Sequence, residues 1–264
     1  MRFKLTLQIE KRRFGDLIPL NYQYECSAVI YRILSRSNTD YSQWLHENGF
    51  QLENGKQFKL FTFSRLLIPQ FRIIGENMKI LSDTIEWEIS FLPGRSTHEF
   101  IQGVFKEQTF EIGNKNVRAQ FRVNSVELLA EPIFSEIMQF ETLSPICLTY
   151  KQPGMSDEYV SLEHPNAVEL VKFNILSKYK AFTGNDFPER EYPFKVTPLS
   201  KSKATLITIK ANTPQSTKVR GFMCQFELEA PIELTMIMYN SGIGGKNSLG
   251  FGMVKTLVAI NFKQ

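Results

Sequence analysis

The sequence predicts an α+β fold built from two successive β-α-β-β-α-β units. Three observations predict it: alternating polarity in the first ten residues, helical spacing of apolar residues after Asn21, and a second round of similar element order after Pro132. With 264 residues, 42% of them hydrophobic, the chain is long enough to form two cores. We therefore expect two tandem ferredoxin-like domains, similar to RNA recognition motifs, over residues 1–131 and 132–264.

The first half supplies most of this evidence. A half-buried strand is predicted where apolar residues alternate with polar ones, at Phe3, Leu5, Leu7 and Ile9. A helix is predicted where apolar residues recur at helical spacing, at Tyr22, Cys26, Val29, Ile30 and Ile33. A second helix should begin near Thr39, capped by Asn38 and followed by Gly49. The other predicted elements are strands at 58–63, 84–91 and 117–129, a hairpin at 72–82 and a helix at 97–106.

The second half repeats this order without a detectable sequence repeat. It predicts a strand at 136–142, a helix at 165–181, strands at 205–211 and 218–228, a helix at 231–238 and a last strand at 251–260. The two predicted units have the same order of elements. Because no sequence repeat is detectable, the duplication of the unit is inferred from the order of the elements alone.

Composition excludes several classes of protein. The three cysteines, Cys26, Cys147 and Cys224, are far apart and form no Cys/His cluster, so neither a disulfide framework nor structural zinc is expected. We find no signal peptide and no apolar run long enough to cross a membrane. These features predict a soluble, cytoplasmic protein with no membrane partner. The net charge of +4 permits a nucleic-acid partner without requiring one.

A basic segment near the C-terminus gives the first functional indication. No Asp or Glu occurs between Tyr192 and Phe226, while six cations do: Lys195, Lys201, Lys203, Lys210, Lys218 and Arg220. Such surfaces bind phosphate backbones, because each neutralised phosphate releases counterions. A solvated face explains the charge run equally well. The interleaved Ser and Thr residues, which donate hydrogen bonds to phosphates, favour RNA slightly.

A glycine-rich loop follows, with five glycines between positions 242 and 252. Glycines let a backbone approach a ligand closely and expose N–H groups to an anion. The loop matches neither a P-loop nor a dinucleotide-binding motif, since Asn240 and Asn247 stand where glycines are needed. A tight turn would need fewer glycines. The residues expected to contact RNA here are Gly242, Gly244, Gly245, Lys246, Asn247, Ser248, Gly250 and Gly252.

The loop and several other segments resemble one known family. Gly242 to Val254 is similar to the glycine-rich signature of the CRISPR-associated endoribonucleases that process precursor CRISPR RNA within its repeats. This family belongs to the repeat-associated RNA-binding superfamily. Further similar segments occur in family order over essentially the whole chain: Asn21–Tyr24, Val29–Tyr31, Trp44–His46, Lys59–Ser64 and Leu143–Ile146.

The resemblance implies an endoribonuclease that needs neither metal nor cofactor. Attack by a ribose 2′-OH would leave a 2′,3′-cyclic phosphate and a 5′-OH. Carried over by position, the catalytic residues are Tyr31, His46 and Lys59, as base, acid and charge stabiliser, with the assignment of acid and base left open. Lys56 competes with Lys59 because the loop from Gln51 to Gln57 is longer than in some relatives.

The resemblance also implies partners. These are CRISPR repeat RNA and, as further candidates, other CRISPR effector subunits, for a monomer or a homodimer. The alternative function is a non-catalytic RNA-binding subunit of an effector complex with the same fold. A histidine at the position of His46 favours the enzyme, because a binding subunit has no need of it.

The residues themselves are compatible with these roles. Tyr31 lies one position beyond the apolar stripe of its helix, among small residues that leave its hydroxyl accessible, although helical tyrosines often only pack. His46 falls in the last turn of its helix, where the dipole favours imidazolium. His98 and His164 are better explained as surface residues. Glu86 and Glu88 share a strand face and could bind Mg²⁺, but their alternation with apolar residues favours a solvated strand.

Overall fold

The computed structural model describes residues 1–152, 154, 156–211 and 213–257. The strands of the first half are β1 (Arg2–Ile9), β2 (Leu17–Pro19), β3 (Phe50–Gln51), β4 (Gln57–Phe58), β5 (Phe61–Phe63), β6 (Phe71–Ile74), β7 (Asn77–Ile80), β8 (Thr84–Phe91), β9 (Thr109–Gly113) and β10 (Arg118–Leu129). Its helices are α1 (Lys11–Phe14), α2 (Gln23–Ser37), α3 (Thr39–Glu47) and α4 (Arg95–Lys106).

The main sheet of this half has the order β5–β8–β1–β10–β9, and its neighbours are antiparallel. Without the edge strand β9, the order is that of a four-stranded ferredoxin-like unit. The first and third strands of that unit, here β1 and β8, lie at the centre of the sheet. Helices α2 and α4 pack against each other and share one core with β1 and β8. Alternation in β1 places Leu5 and Leu7 in that core, fully buried, as the sequence pattern predicts.

The second half repeats this arrangement. Its strands are β11 (Ile137–Thr142), β12 (Leu148–Tyr150), β13 (Glu158–Val160), β14 (Lys195–Pro198), β15 (Lys203–Ile209), β16 (Thr217–Met223), β17 (Gln225–Glu229) and β18 (Val254–Thr256), and its helices are α5 (Ala167–Thr183) and α6 (Ile232–Ser241). A 3-10 turn covers Asn247–Leu249. The main sheet has the order β14–β17–β11–β18, again with the first and third strands at its centre. The predicted α+β fold of two ferredoxin-like units is confirmed.

The hairpin of β15 and β16 interrupts this second unit between its second and third strands. Its two strands pair with each other, and among the described residues Phe222 of β16 also forms an isolated bridge with Ile146. Ile207, Ile209 and Val219 bury one face of the hairpin against Cys147 and Phe251. The opposite face, which includes Lys218 and Arg220, is exposed.

Three details of the predicted elements were wrong. The predicted strand at 218–228 breaks at Cys224, and its two parts, β16 and β17, belong to different sheets. The last strand begins only at Val254 rather than at 251, and the predicted continuation over 258–260 lies outside the described residues. Lys59 lies between β4 and β5 rather than within a strand, next to Leu60, whose φ of 52° interrupts the extended backbone.

Polar contacts join the two halves. The Thr62 hydroxyl donates to the Phe251 carbonyl at 2.9 Å, and the Ser90 hydroxyl donates to the Asn240 carbonyl at 2.9 Å. Arg2 is buried and donates to the Tyr239 carbonyl at 3.1 Å while its guanidinium stacks on the Tyr239 ring. Because these bonds are buried, they are costly to break, and the halves are held in one arrangement. In the described residues no helix is long and apolar enough to cross a membrane.

Candidate active site and RNA-binding surface

Tyr31 and His46 form a contacting pair on neighbouring helices. Their ring centroids are 4.9 Å apart and the rings meet edge-on at 83°. The Ser42 hydroxyl donates to the Tyr31 carbonyl at 2.8 Å, which fixes α3 against α2. Asn38 caps α3 as predicted, accepting from the Tyr41 amide at 2.9 Å, and His46 falls in the last turn with an exposed side chain. Two residues that the sequence selected separately are therefore brought together.

Tyr31 also contacts the glycine-rich loop of the other half. Its ring packs against Phe61 at 5.6 Å, and its phenol meets the hydroxyl of Ser248 in the 3-10 turn. Burial raises the pKa of Tyr31, while the contact with Ser248 opposes that rise. The phenol is thus protonated at neutral pH, and Ser248 stabilises its anion.

Lys59 lies at the end of the helix that carries His46. The Lys59 side chain lies against Gly49, two residues after α3. A methyl group added at Gly49 would be only 2.9 Å from Lys59 Cδ and 3.2 Å from its Nζ. The amine is buried and has no hydrogen-bond partner among the described residues. Burial lowers the pKa of Lys59. An unpaired buried ammonium is unfavourable and would be stabilised by an anion.

Lys56, the competing lysine, points elsewhere. Its amine lies over the rings of Phe58 and Phe173, at 5.0 Å and 4.7 Å, and so faces helix α5. Its charge contributes, after burial, to lowering the pKa of Lys178 on that helix. Lys59 is the lysine that contacts the end of α3.

Lys178 is a functional candidate that the sequence did not reveal. Its side chain is buried, and its amine donates to the carbonyls of Gly242 and Gly244, at 2.5 Å and 3.1 Å. This amine therefore anchors the start of the glycine-rich loop. The sequence places Lys178 on a mixed helical face, and no local pattern distinguishes it from a surface lysine.

The loop glycines are constrained by the protein itself. Gly242, Gly244, Gly250 and Gly252 have φ between 73° and 87°. A methyl group at Gly244 would meet the Cys147 carbonyl at 2.6 Å, and one at Gly250 would meet the Phe63 ring at the same distance. Internal packing thus accounts for glycine at these positions.

Asn247 closes the loop from inside. Its side-chain amide donates to the carbonyls of Ile243 and Phe251, at 3.2 Å and 3.0 Å. Of the loop residues expected to contact RNA, Ser248 is the one that faces Tyr31, while Lys246 takes a left-handed backbone conformation at the start of the 3-10 turn.

The predicted basic segment is divided over two sheets. Lys195 lies on β14, and the other five residues lie on or beside the β15–β16 hairpin, which we call the basic hairpin (residues 201–223). All except Lys210 are exposed. Lys210 donates to the Gln215 side chain at 2.6 Å. In the described part of the chain, none of the six cations takes part in an ion pair with a carboxylate.

The remaining candidates occupy ordinary positions. His98 is exposed on α4, and the His164 ring packs beside Tyr150 while its Nδ1 accepts from the Asn166 amide. Glu88 lies 3.7 Å from Arg2. Within the described residues, no three His, Cys, Asp or Glu side chains converge in a way that could hold a metal ion.

Comparisons with known proteins identify the family. Residues 17–127 match the model for CRISPR-associated protein Cas6, N-terminal, and residues 129–256 match the model for CRISPR associated protein Cas6, C-terminal. The chain belongs to the Cas6 family. The family predicted from the sequence motifs is thereby confirmed.

Individual Cas6 relatives agree over the whole length. The chain is 28% identical to CRISPR-associated endoribonuclease Cas6 1 of Methanocaldococcus jannaschii, covering 96% of this chain and 92% of that protein. It is 27% identical to CRISPR-associated endoribonuclease Cas6 of Pyrococcus furiosus, covering 97% and 89%. These relatives confirm the enzyme class predicted from the sequence, an endoribonuclease.

Solved Cas6 structures agree with the fold. A Cas6-related protein from Pyrococcus furiosus superposes with a TM-score of 0.81 at 25% identity, covering 98% of this chain and 99% of that one. A second structure, described as CRISPR associated protein Cas6, gives a TM-score of 0.72 at 27% identity, covering 97% and 99%.

Proposed function

We propose that this protein cuts precursor CRISPR RNA within its repeats, without a metal ion, by attack of a ribose 2′-OH on the adjacent phosphate. The observation that carries the proposal is the Tyr31–His46 pair at 4.9 Å, with Ser248 on one side and the unpaired amine of Lys59 at the end of the same helix. The substrate is taken from the relatives, which are named CRISPR-associated endoribonucleases.

The proposed reaction is a transesterification. The 2′-oxygen forms a bond to phosphorus and loses its proton to a base, while the bond from phosphorus to the 5′-oxygen breaks and that oxygen receives a proton from an acid. The products are a 2′,3′-cyclic phosphate and a 5′-OH. Two proton-transfer groups and one cation are sufficient for this chemistry.

We assign Tyr31 as the base and His46 as the acid. The raised pKa of Tyr31 makes its anion a minor species, and the contact with Ser248 increases that fraction. His46 is exposed in the last turn of α3 and is the other proton-transfer group of the contacting pair, so it is assigned to the 5′-oxygen. If Tyr31 were instead the acid and His46 the base, the pH dependence of the rate lost in Tyr31→Phe would be reversed.

Lys59 is assigned to stabilise the charge that develops on the phosphate. The lysine side chain is flexible, so its amine can turn from Gly49 towards a phosphate held beside His46. No hydrogen bond within the described residues opposes this movement.

The basic hairpin and the glycine-rich loop are proposed to hold the RNA. The hairpin presents exposed cations that form no ion pair with a carboxylate of the described residues, and such cations suit phosphate binding. Ser248 lies beside Tyr31 of the proposed catalytic pair, and Lys246 precedes it by two residues at the start of the 3-10 turn. One RNA strand could therefore contact the loop and the pair at once.

The test is incubation of the protein with labelled repeat RNA in the presence of EDTA. We expect one cut, with a 2′,3′-cyclic phosphate on the upstream product and a 5′-OH on the downstream product, read by end-specific enzymes and mass spectrometry. Strict dependence on Mg²⁺ or a 5′-phosphate product would overturn the mechanism. Tight binding with no cleavage would instead favour the non-catalytic RNA-binding subunit.

A further inference from the structure

A cleft of about 680 Å³, lined mainly by polar and charged residues, lies along helix α2, and of the residues assigned above it includes Lys210 of the basic hairpin. One wall is the face of α2 that carries Tyr24, Glu25, Ala28 and Arg32. The opposite wall is formed by the β9–β10 turn, with Asn114, Lys115 and Asn116, and by the tip of the basic hairpin, with Lys210, Thr213 and Gln215. A cleft of this size can hold a nucleotide.

The cleft and Tyr31 share helix α2. Residues three, four and seven positions apart share a helical face, so Tyr24 and Ala28 lie on the side of α2 that presents Tyr31. Glu25 precedes Tyr31 by six residues, or about 9 Å along the helix axis. Neighbouring nucleotides of one strand could span that distance. A strand cut beside Tyr31 could therefore extend along α2 into this cleft.

The charges of the cleft suit RNA, with one exception. Arg32 and Lys115 are exposed and form no ion pair within the described residues, and Glu111 is already paired with Arg118 at 3.3 Å. Glu25 is the exception. One of its carboxylate oxygens is buried and has no hydrogen-bond partner in the described part of the chain. A carboxylate there repels phosphates, so backbone binding alone does not explain it.

A nucleobase explains both the cations and the carboxylate. Single-stranded RNA is read through the Watson–Crick edges of unstacked bases, and a carboxylate accepts from the amino group of a base. Cytosine, adenine and guanine carry an exocyclic amino group on that edge. Uracil presents two carbonyl oxygens around a single N–H, and these would face the carboxylate unfavourably.

We propose that this cleft binds a nucleotide next to the scissile phosphate, and that Glu25 selects there a base with an amino group over uracil. Arg32 and Lys115 bind the flanking phosphates, and the Tyr24 ring offers a surface on which the base can stack. The inference rests on the proposed function, because it takes the cut to occur beside Tyr31. Glu25 is a specificity residue and takes no part in proton transfer.

The test compares Glu25→Gln with the wild type on repeat RNAs that carry uridine at each position around the cut, one at a time. For the wild type, uridine at one position should lower single-turnover cleavage and binding by about tenfold. Glu25→Gln should lose about tenfold on the natural RNA and regain activity on that one uridine RNA, because the amide can donate to a uracil carbonyl. Glu169→Gln, an exposed change on α5, is the matched control.

Uniform loss on every RNA, or no loss, would overturn the proposal. Thermal melting of Glu25→Gln checks that the fold is retained. As a second measurement, 4-thiouridine placed beside the selected position in RNA bound to His46→Ala should crosslink to Tyr24 or to residues 210–215. Crosslinks only to other surfaces also overturn it. If the wild type binds the RNA without cutting it, the proposed function is wrong, but base selection in the cleft can still be tested. The ratio of the affinities for the natural RNA and for each uridine RNA then measures that selection.

Discussion

Lys59 and Lys178 are both lysines with buried amines, yet their surroundings differ. Lys178 donates to two carbonyls of the glycine-rich loop, whereas the Lys59 amine has no partner among the described residues. Burial lowers the pKa of each. The amine of Lys178 is used to hold the protein's own backbone, and that of Lys59 remains available to a ligand.

The difference teaches how to separate a structural cation from a functional one. A buried cation with its hydrogen bonds satisfied contributes to the fold, and removing it leaves its acceptors unsatisfied. A buried cation without partners costs stability and is retained where a ligand uses it.

The largest effect should come from His46, which sets the scale for both lysines. His46→Ala should lower single-turnover cleavage by about a hundredfold or more, because one general acid contributes roughly that much. Affinity for repeat RNA should change little, since the side chain acts on the transition state. Filter binding and rapid-quench cleavage measure the two quantities. Cleavage at the wild-type rate would remove His46 from the mechanism.

Lys59→Met should separate activity from stability. Cleavage should fall by about tenfold to a hundredfold, because a charge-stabilising group is lost, and affinity for the RNA should fall slightly. The free energy of unfolding should stay the same or rise by about 1 kcal/mol, since an unpaired buried charge is removed. Lys56→Met is the matched control, with little effect on the rate. A large loss of cleavage rate in Lys56→Met, with little loss in Lys59→Met, would make Lys56 the charge stabiliser.

Tyr31→Phe tests the base through its pH dependence. A base with a raised pKa is mostly protonated at neutral pH, so its active fraction rises as pH rises towards that pKa. The ratio of wild-type to Tyr31→Phe cleavage rates should therefore increase with pH. At neutral pH the loss of rate in Tyr31→Phe should be smaller than the loss in His46→Ala. A ratio that is independent of pH would assign Tyr31 to hydrogen bonding in its neutral form.

Lys178→Met should destabilise the protein without touching the reacting groups. The carbonyls of Gly242 and Gly244 lose their donor, and we expect the free energy of unfolding to fall by about 1–3 kcal/mol. Denaturant unfolding measures this change. Lys180→Met, at a half-buried position of the same helix where the amine pairs with Asp186 at 3.0 Å, should change the free energy of unfolding far less. Unchanged stability of Lys178→Met would end the contrast with Lys59.

The smallest effect should come from the basic hairpin. Lys203→Ala should reduce the salt dependence of RNA binding by about 0.7 in the slope of log K against log salt, the value for one phosphate on a single strand. Isotherms at several salt concentrations give the slope, with Lys151→Ala as the control. An unchanged slope returns the hairpin to a solvated face.

Local patterns predicted the elements around the site well. The alternation of Phe3, Leu5, Leu7 and Ile9 and the cap at Asn38 each depend on neighbouring residues, so the sequence contains their cause. The break at Cys224 could not be read in this way, because it depends on which sheet each part of the run joins.

The candidate site shows the same limit. Tyr31 and His46 were selected separately, and their contact follows from the packing of two consecutive helices. The contact of Tyr31 with Ser248 and the anchoring of the loop by Lys178 join residues far apart in the chain. The first contact depends on how the two units dock and the second on how the second unit folds, and no local spacing encodes either. The resemblance supplied the residues but not these contacts.

The contact between Tyr31 and Ser248 has a consequence for protein synthesis. The N-terminal half emerges from the ribosome first and can fold before the rest exists. At that stage it already contains Tyr31, His46 and Lys59, but Ser248 and its loop have not yet been translated. In the proposed scheme a nascent chain therefore has its proton-transfer pair before it has Ser248 and the loop and basic hairpin proposed to hold RNA, and full activity awaits the folding of its last quarter onto its first.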